Sequence, residues 1–463
     1  MKTIIHTIVI LVISFTLSLF SHLAMADFSM PEYKKLTLKN GLTVYLMEQN
    51  EVPLVDIRMV TKAGAINDGR QYGLANMTGD ALSLGSGKLS KKEIEDLFAF
   101  HGANLGGGVS LESASTSLSI ASKDVDKLLP IFRDIVIKPR FDESEFDKQK
   151  KRYIDQLKQS RERPRNVIGS AFNKMYYGDH PYGNPIEGDA STIEKITLDQ
   201  VKSFYTNFYS ANNSALIIVG DFKTKKMVKK IKRLFKSWKS KNIVETDLSK
   251  FNSQKEANVW LINKDDAIET TFMIGGKGIP SNHKDKVAIQ VINTLLGARF
   301  TSWLNDALRV NSGLTYGARS RFNSESQFGN FVISTFTKTE TTFDAIDLAL
   351  KTYKRLWTEG IDQETLESAK TYVKGQFPPR YETSGQLARL LSNMWSLDLD
   401  DSFINDFQKN VDSLNVEKAN KIAQENFPQD NLQFVLIGKA SDIKEQATSY
   451  GKIKEMDIKT FKF

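Results

Sequence analysis

The chain has 463 residues, 40% of them hydrophobic and 25% charged, with a formal net charge of +8 and no cysteine. That length exceeds what one hydrophobic core supports, so two or more domains are expected. Without cysteine there is no disulfide, thiolate metal site or cysteine nucleophile, and so mild a charge, with no zinc-finger, RNP or glycine-rich phosphate motif, does not argue for a nucleic-acid partner, and none is expected.

Met1-Lys2 is followed by a charge-free run over residues 3–26, apolar from 8 to 20 and closing on Ala24-Met25-Ala26. A basic start, an apolar stretch and a small-x-small site describe a secretory signal over residues 1–26, which implies a bacterial periplasm or an extracellular setting. An uncleaved anchor is the alternative, although Ser14, Thr16 and Ser18 interrupt a run already short for a span. No later stretch is long or apolar enough to cross a bilayer, so membrane contact is not expected.

Alternating strands are predicted at residues 42–46 and 55–60. An amphipathic segment follows over residues 73–86, opened by Gly73 and left through Gly85. The run Gly106-Gly107-Gly108 reads equally as a flexible loop or as the approach to the strand at 113–121, which leads into an apolar-periodic helix at 125–136. Phe141-Asp142-Glu143 starts a long polar helix that meets Pro164, and an apolar strand at 215–220 ends on Gly220. Residues 223–241 carry ten Lys or Arg, with Met227, Ile231, Leu234, Phe235 and Trp238 at helical spacing. A membrane-surface helix is one reading; an amphipathic helix packed on its own sheet is the plainer one.

The same series then recurs at a period near 220 residues, too long for a solenoid and therefore a copied domain. Strands at 257–262 and 270–274, a helix from about Lys286, a strand at 329–337, a helix at 343–357, a polar helix from Ile361-Asp362-Gln363 that meets Pro378-Pro379, and a strand at 433–438 match the first half in order. Strands interrupted by long helices predict an α+β fold, a sheet layered by helices in each half. The expected division is 27–240, a linker at 241–256, and 257–463.

Lys62-Ala63-Gly64 and the Gly-Leu-Ala that starts at Gly73 resemble the first helix of the pitrilysin/insulinase-like zinc peptidases, the group that includes the mitochondrial processing peptidases. The resemblance covers essentially the whole mature chain and implies a clamshell protomer of two homologous domains. In that family the helix carries His-x-x-Glu-His, two imidazoles binding zinc and the Glu activating water. Here those positions hold Asn76, Gly79 and Asp80. The family's third ligand, a Glu on a later helix, falls within residues 148–157, where Tyr153-Ile154-Asp155 offers no Glu. The chain has five His, of which His101, His180 and His283 lie beyond the signal and far apart, so no zinc site is expected. Two oxygens from Asn76 and Asp80 also fall short of a calcium site. His180-Pro181-Tyr182-Gly183 resembles a structural turn of the family.

Further along, Ala307-Leu308-Arg309 and Gly313-Leu314-Thr315-Tyr316 sit where the family bears an Arg and a Tyr that contact substrate near the scissile carbonyl. A fixed cation and a phenolic donor favour an oxyanion forming in a partly dry cavity. Apart from the resemblance, Arg309 would be a helix C-terminal charge and Tyr316 an ordinary strand aromatic. Loss of the metal helix with retention of the Arg/Tyr pair implies the non-catalytic subunit of a heterodimeric peptidase. A zinc-bearing relative is then the expected partner, peptides the substrate, and zinc a cofactor of the partner alone. The glycine-rich run matches the edge strand that pairs with extended peptide in catalytic relatives. The other reading is a structural or peptide-binding member with no part in proteolysis.

Overall fold

The computed structural model describes residues 28–462; the predicted signal over 1–26 lies outside them. Two six-stranded sheets dominate. The first contains β1 (Lys34–Thr37), β2 (Thr43–Glu48), β3 (Leu54–Thr61), β4 (Asn104–Val109), β5 (Ala114–Ala121) and β6 (Ser214–Gly220) in the order β1-β2-β6-β3-β5-β4. The second contains β7 (Asn258–Asn263), β8 (Glu269–Lys277), β9 (Arg319–Ser324), β10 (Gly329–Lys338), β11 (Gln433–Gly438) and β12 (Lys452–Asp457) in the order β9-β10-β8-β11-β7-β12. Read from opposite ends the two orders coincide, and the closing strand of each half pairs parallel with the opening one, β6 with β2 and β11 with β7. Only the outermost strand differs, since β1 is antiparallel to β2 whereas β12 is parallel to β7.

The helices used below are α1 (Leu74–Ala81), α2 (Lys91–Phe100), α3 (Val125–Ile137), α4 (Glu143–Arg161), α5 (Pro164–Tyr177), α6 (Leu198–Phe208), α7 (Thr224–Phe235), α8 (Lys286–Asn293), α9 (Thr342–Thr358), α10 (Gln363–Gln376), α11 (Ser384–Ser396) and α12 (Val416–Asn426). In β6 the side chains alternate between two cores. Leu216 and Ile218 join Phe132, Phe204 and Ile231 from α3, α6 and α7, while Ala215, Ile217 and Val219 join Leu387, Ala388 and Leu391 of α11. The stripe of α7 therefore lies on its own sheet, as the plainer reading of 223–241 expects.

Proline marks a start rather than a stop. Pro164 occupies the first turn of α5, where its missing N–H costs nothing, and α5 leaves its own half. Val167, Ile168, Ala171 and Phe172 pack with Ile262, Val332, Val435 and Ile437 of the second sheet. In return α11, after Pro378-Pro379, covers the free face of the first sheet. Each sheet is thus buried on one face by its own helices and on the other by a helix from the opposite half. Polar links secure the exchange: Ser384 Oγ to Asp56 at 2.5 Å, Asn330 Nδ2 to Asn173 at 3.0 Å, and Lys62 to Asp398 at 3.0 Å.

Candidate functional site

Helix α1 is built from its left end. Gly73 has φ 91°, a left-handed conformation suited to glycine, and an added Cβ would meet Ile193 Cδ1 at 2.5 Å. The carboxylate of buried Asp68 accepts from the amides of Gly73 at 2.8 Å and Ala75 at 2.7 Å, satisfying donors that the helix start leaves free. Burial lifts Asp68 to about 7 against the pull of those amides. Leu74, Ala75, Met77, Thr78 and Ala81 face the core. Asn76 and Asp80 face α4, and Gly79 faces β4.

At that junction Asn76 Nδ2 donates to Tyr153 Oη at 2.9 Å, and Tyr153 donates in turn to the carbonyl of Glu187 at 2.9 Å. Tyr153 is therefore the α4 residue opposite the first ligand position, and Asp155 lies exposed, away from it. Gln149 hydrogen-bonds to Asp80, whose carboxyl is raised by the protein around it although water reaches it through the adjoining cavity. An added Cβ at Gly79 would stand 3.1 Å from Val109 Cγ2. These residues do not fit zinc: an amide engaged as donor to a phenol, a position without a side chain and a single carboxylate supply no imidazole and too few ligands.

The three remaining histidines are spent on local structure. Nδ1 of His180 accepts from the Tyr182 amide at 3.1 Å, so Nε2 carries the proton and donates to the Leu248 carbonyl at 3.2 Å; burial lowers its pKa. His101 meets Asp124 at 3.0 Å, and His283 Nδ1 accepts from Asp285 N at 3.2 Å. Among the described residues no cluster of three or more His, Cys, Asp or Glu could hold a metal ion.

A cavity of about 430 Å³ opens beside Gly79 and Asp80, walled by α2 and by Gly106, Gly107 and Gly108 of β4. The glycine run is thus an edge strand, paired on one side with β5 and open on the other. Gly107 is required for the close approach to β5, because an added Cβ would meet the Ser115 carbonyl at 2.8 Å.

Arg309 and Tyr316 lie in the second half and do not line this cavity. Arg309 sits on a π-helical turn, Asp306–Asn311, a distortion often found at functional positions. Both side chains are exposed, Tyr316 at 81%. Each rests on a different ring: the Arg309 guanidinium 4.7 Å over Phe300, and Tyr316 stacked on Phe336 with centroids 6.2 Å apart. Phe336 is backed from beneath by Arg165 of α5, 3.6 Å from its centroid. Among the described residues neither Arg309 nor Tyr316 has an ion pair or hydrogen bond of its side chain.

Two family models match, "Insulinase (Peptidase family M16)" over residues 43–190 and "Peptidase M16 inactive domain" over residues 195–373, together more than two thirds of the chain. The chain belongs to the insulinase family, M16. Among the curated M16 relatives it is similar to the zinc protease PqqE of Helicobacter pylori, 23% identical over 86% of this chain and 91% of that one. It is also similar to the non-peptidase homologue YmxG of the same organism, 22% identical over 84% and 90%. A solved structure described as a peptidase M16 inactive domain from Pseudomonas fluorescens superposes with a TM-score of 0.82 at 25% identity, covering 88% of this chain and 98% of that one. The α+β architecture of two homologous halves is that of the family.

Proposed function

We propose that this M16 chain is the non-catalytic, substrate-positioning subunit of a heterodimeric zinc endopeptidase, exported to the periplasm, with zinc and general base supplied by a family relative. One contrast carries the reading. The metal positions of α1 are closed by the Asn76–Tyr153 hydrogen bond, whereas Arg309 and Tyr316 stand exposed, braced by Phe300 and Phe336 and committed to nothing else. With no polar partner of their own among the described residues, both are free to meet a peptide carbonyl and stabilise the negative charge that develops on it. The open edge of β4 supports peptide binding as well, because strand addition needs backbone groups only. The relatives from Helicobacter pylori include both a zinc protease and a non-peptidase homologue, which fits a division of labour between two chains.

The test is peptide hydrolysis by the purified mature chain, by its zinc-bearing relative from the same genome, and by their mixture, with zinc counted in each. The chain alone is expected to be metal-free and inert, and the mixture to exceed the relative alone by at least tenfold. A mixture no faster than the relative overturns the proposal and leaves the structural or peptide-binding alternative, for which the open β4 edge is the supporting observation.

A further inference from the structure

Where α11 crosses the first sheet, a second cavity of about 340 Å³ lies between the halves, lined by Arg58 of β3, Glu112, Glu325 and Arg389 of α11, and reached by the chain at Gly108 where β4 ends. With Glu325 protonated, its lining carries two guanidiniums against one carboxylate, Glu112. Glu112, buried, keeps its negative charge and takes three donors on Oε1: the Tyr182 hydroxyl, Ser326 N at 2.9 Å and Ser326 Oγ at 2.8 Å. Glu325, half-buried and beside the Glu112 charge, is pushed up to about 8, so it carries its proton at neutral pH. Asp56, two positions before Arg58 on the same strand face, accepts from Ser384 Oγ at 2.5 Å and keeps its charge, but it does not line the cavity.

Arg58 is half-buried and has a single hydrogen bond, Nη1 to Ser115 Oγ at 3.3 Å, and among the described residues neither Arg58 nor Arg389 makes an ion pair. Burial and the Arg389 charge weaken the hold of Arg58 on its proton more than the Asp56 carboxylate strengthens it. Two like charges directed at one cavity repel unless an anion lies between them. Planar guanidinium forks match a carboxylate in shape. A phosphate dianion would be repelled by the Glu112 charge about twice as strongly as a carboxylate, and a carboxylate can accept from protonated Glu325.

We infer that this interdomain cavity is an anion site for a carboxylate carried by a peptide, with Arg58 and Arg389 as its cationic walls. Because Gly108 belongs both to the open edge strand and to the cavity wall, a peptide laid along β4 would bring one end to the two arginines. The identity of the ligand as a peptide rests on the proposed function; the charge it must carry does not.

The experiment is fluorescence anisotropy with the mature chain alone, so that it is independent of any partner's hydrolysis. Three labelled peptides are compared: a free-acid peptide without acidic side chains, its C-terminal amide, and the amide with one internal Glu. Arg389 is exposed, so Arg389→Gln should fold, with an unchanged melting temperature as the check. The variant is expected to weaken binding at least tenfold for the free acid, for the internal-Glu peptide, or for both, and to leave the neutral amide unaffected; which acidic peptide responds identifies the carboxylate as terminal or side-chain. Arg58→Lys, which keeps the charge, should retain more affinity than Arg58→Gln. Equal affinities of wild type and Arg389→Gln for all three peptides would overturn the inference, whether or not the mixture with the zinc-bearing relative is active.

Discussion

Asn76, which the family resemblance sets at the first metal position of α1, donates to Tyr153 of α4 at 2.9 Å. Replacing Tyr153 with Phe leaves the Asn76 amide without its acceptor in a partly buried place. The expected cost is about 1–2 kcal/mol, read as a lowered urea midpoint with an unchanged m-value, and with no change in zinc content. Glu325 gives a second prediction. Its carboxyl is near 4.5 when unfolded and about 8 when folded, so between those values the folded state binds the extra proton. Its contribution is therefore fully present below about pH 4.5 and lost as pH rises through 8. Relative to Glu325→Gln, the wild type should lose stability across that window, at no more than about 1.4 kcal/mol per pH unit. Parallel curves from pH 5 to 8 would contradict the assignment. Asp68 acts with the same sign between 3.8 and about 7 and cancels in that comparison.

At the scale of elements, the strands that bury both faces were legible because their apolar runs end on glycine, as at 215–220 and 433–438. The strands at the rims were not. β1 and β12 are largely exposed and show no apolar alternation, and β4 reads Asn-Leu-Gly-Gly-Gly-Val, a composition that disfavours strand until β5 is there to pair with it. The zinc positions lost from α1 were legible from residue types alone, while Tyr153 was not, since only the packing of α4 on α1 shows which α4 residue faces Asn76. Least legible was the exchange of α5 and α11, because an apolar stripe states that a helix must be covered and not by which sheet. Leu391 is fully buried in that exchange. Leu391→Ala is expected to cost about 2–5 kcal/mol and to lower a single unfolding transition seen alike by far-UV CD and tryptophan fluorescence. Two separated transitions would show instead that the halves unfold independently.

For the molecule as a whole, the exchange has a functional consequence. The first sheet, with its open β4 edge, and the second half, with Arg309 and Tyr316, are fixed to one another by shared cores rather than by a hinge, so a peptide held by one half meets the other at a set distance. Such a fixed distance fits the positioning role proposed above, in which the bond-breaking groups belong to another chain. The measurement that tests this most directly is kcat for peptide hydrolysis by the mixture of this chain and its zinc-bearing relative, comparing wild type with Arg309→Ala after confirming that the two chains still associate and that zinc content is unchanged. If Arg309 stabilises the oxyanion, kcat should fall by about 100-fold or more, the effect of removing one such group, with little change in KM. An unchanged kcat in an intact, zinc-loaded complex would contradict the account and reduce Arg309 and Tyr316 to inherited framework.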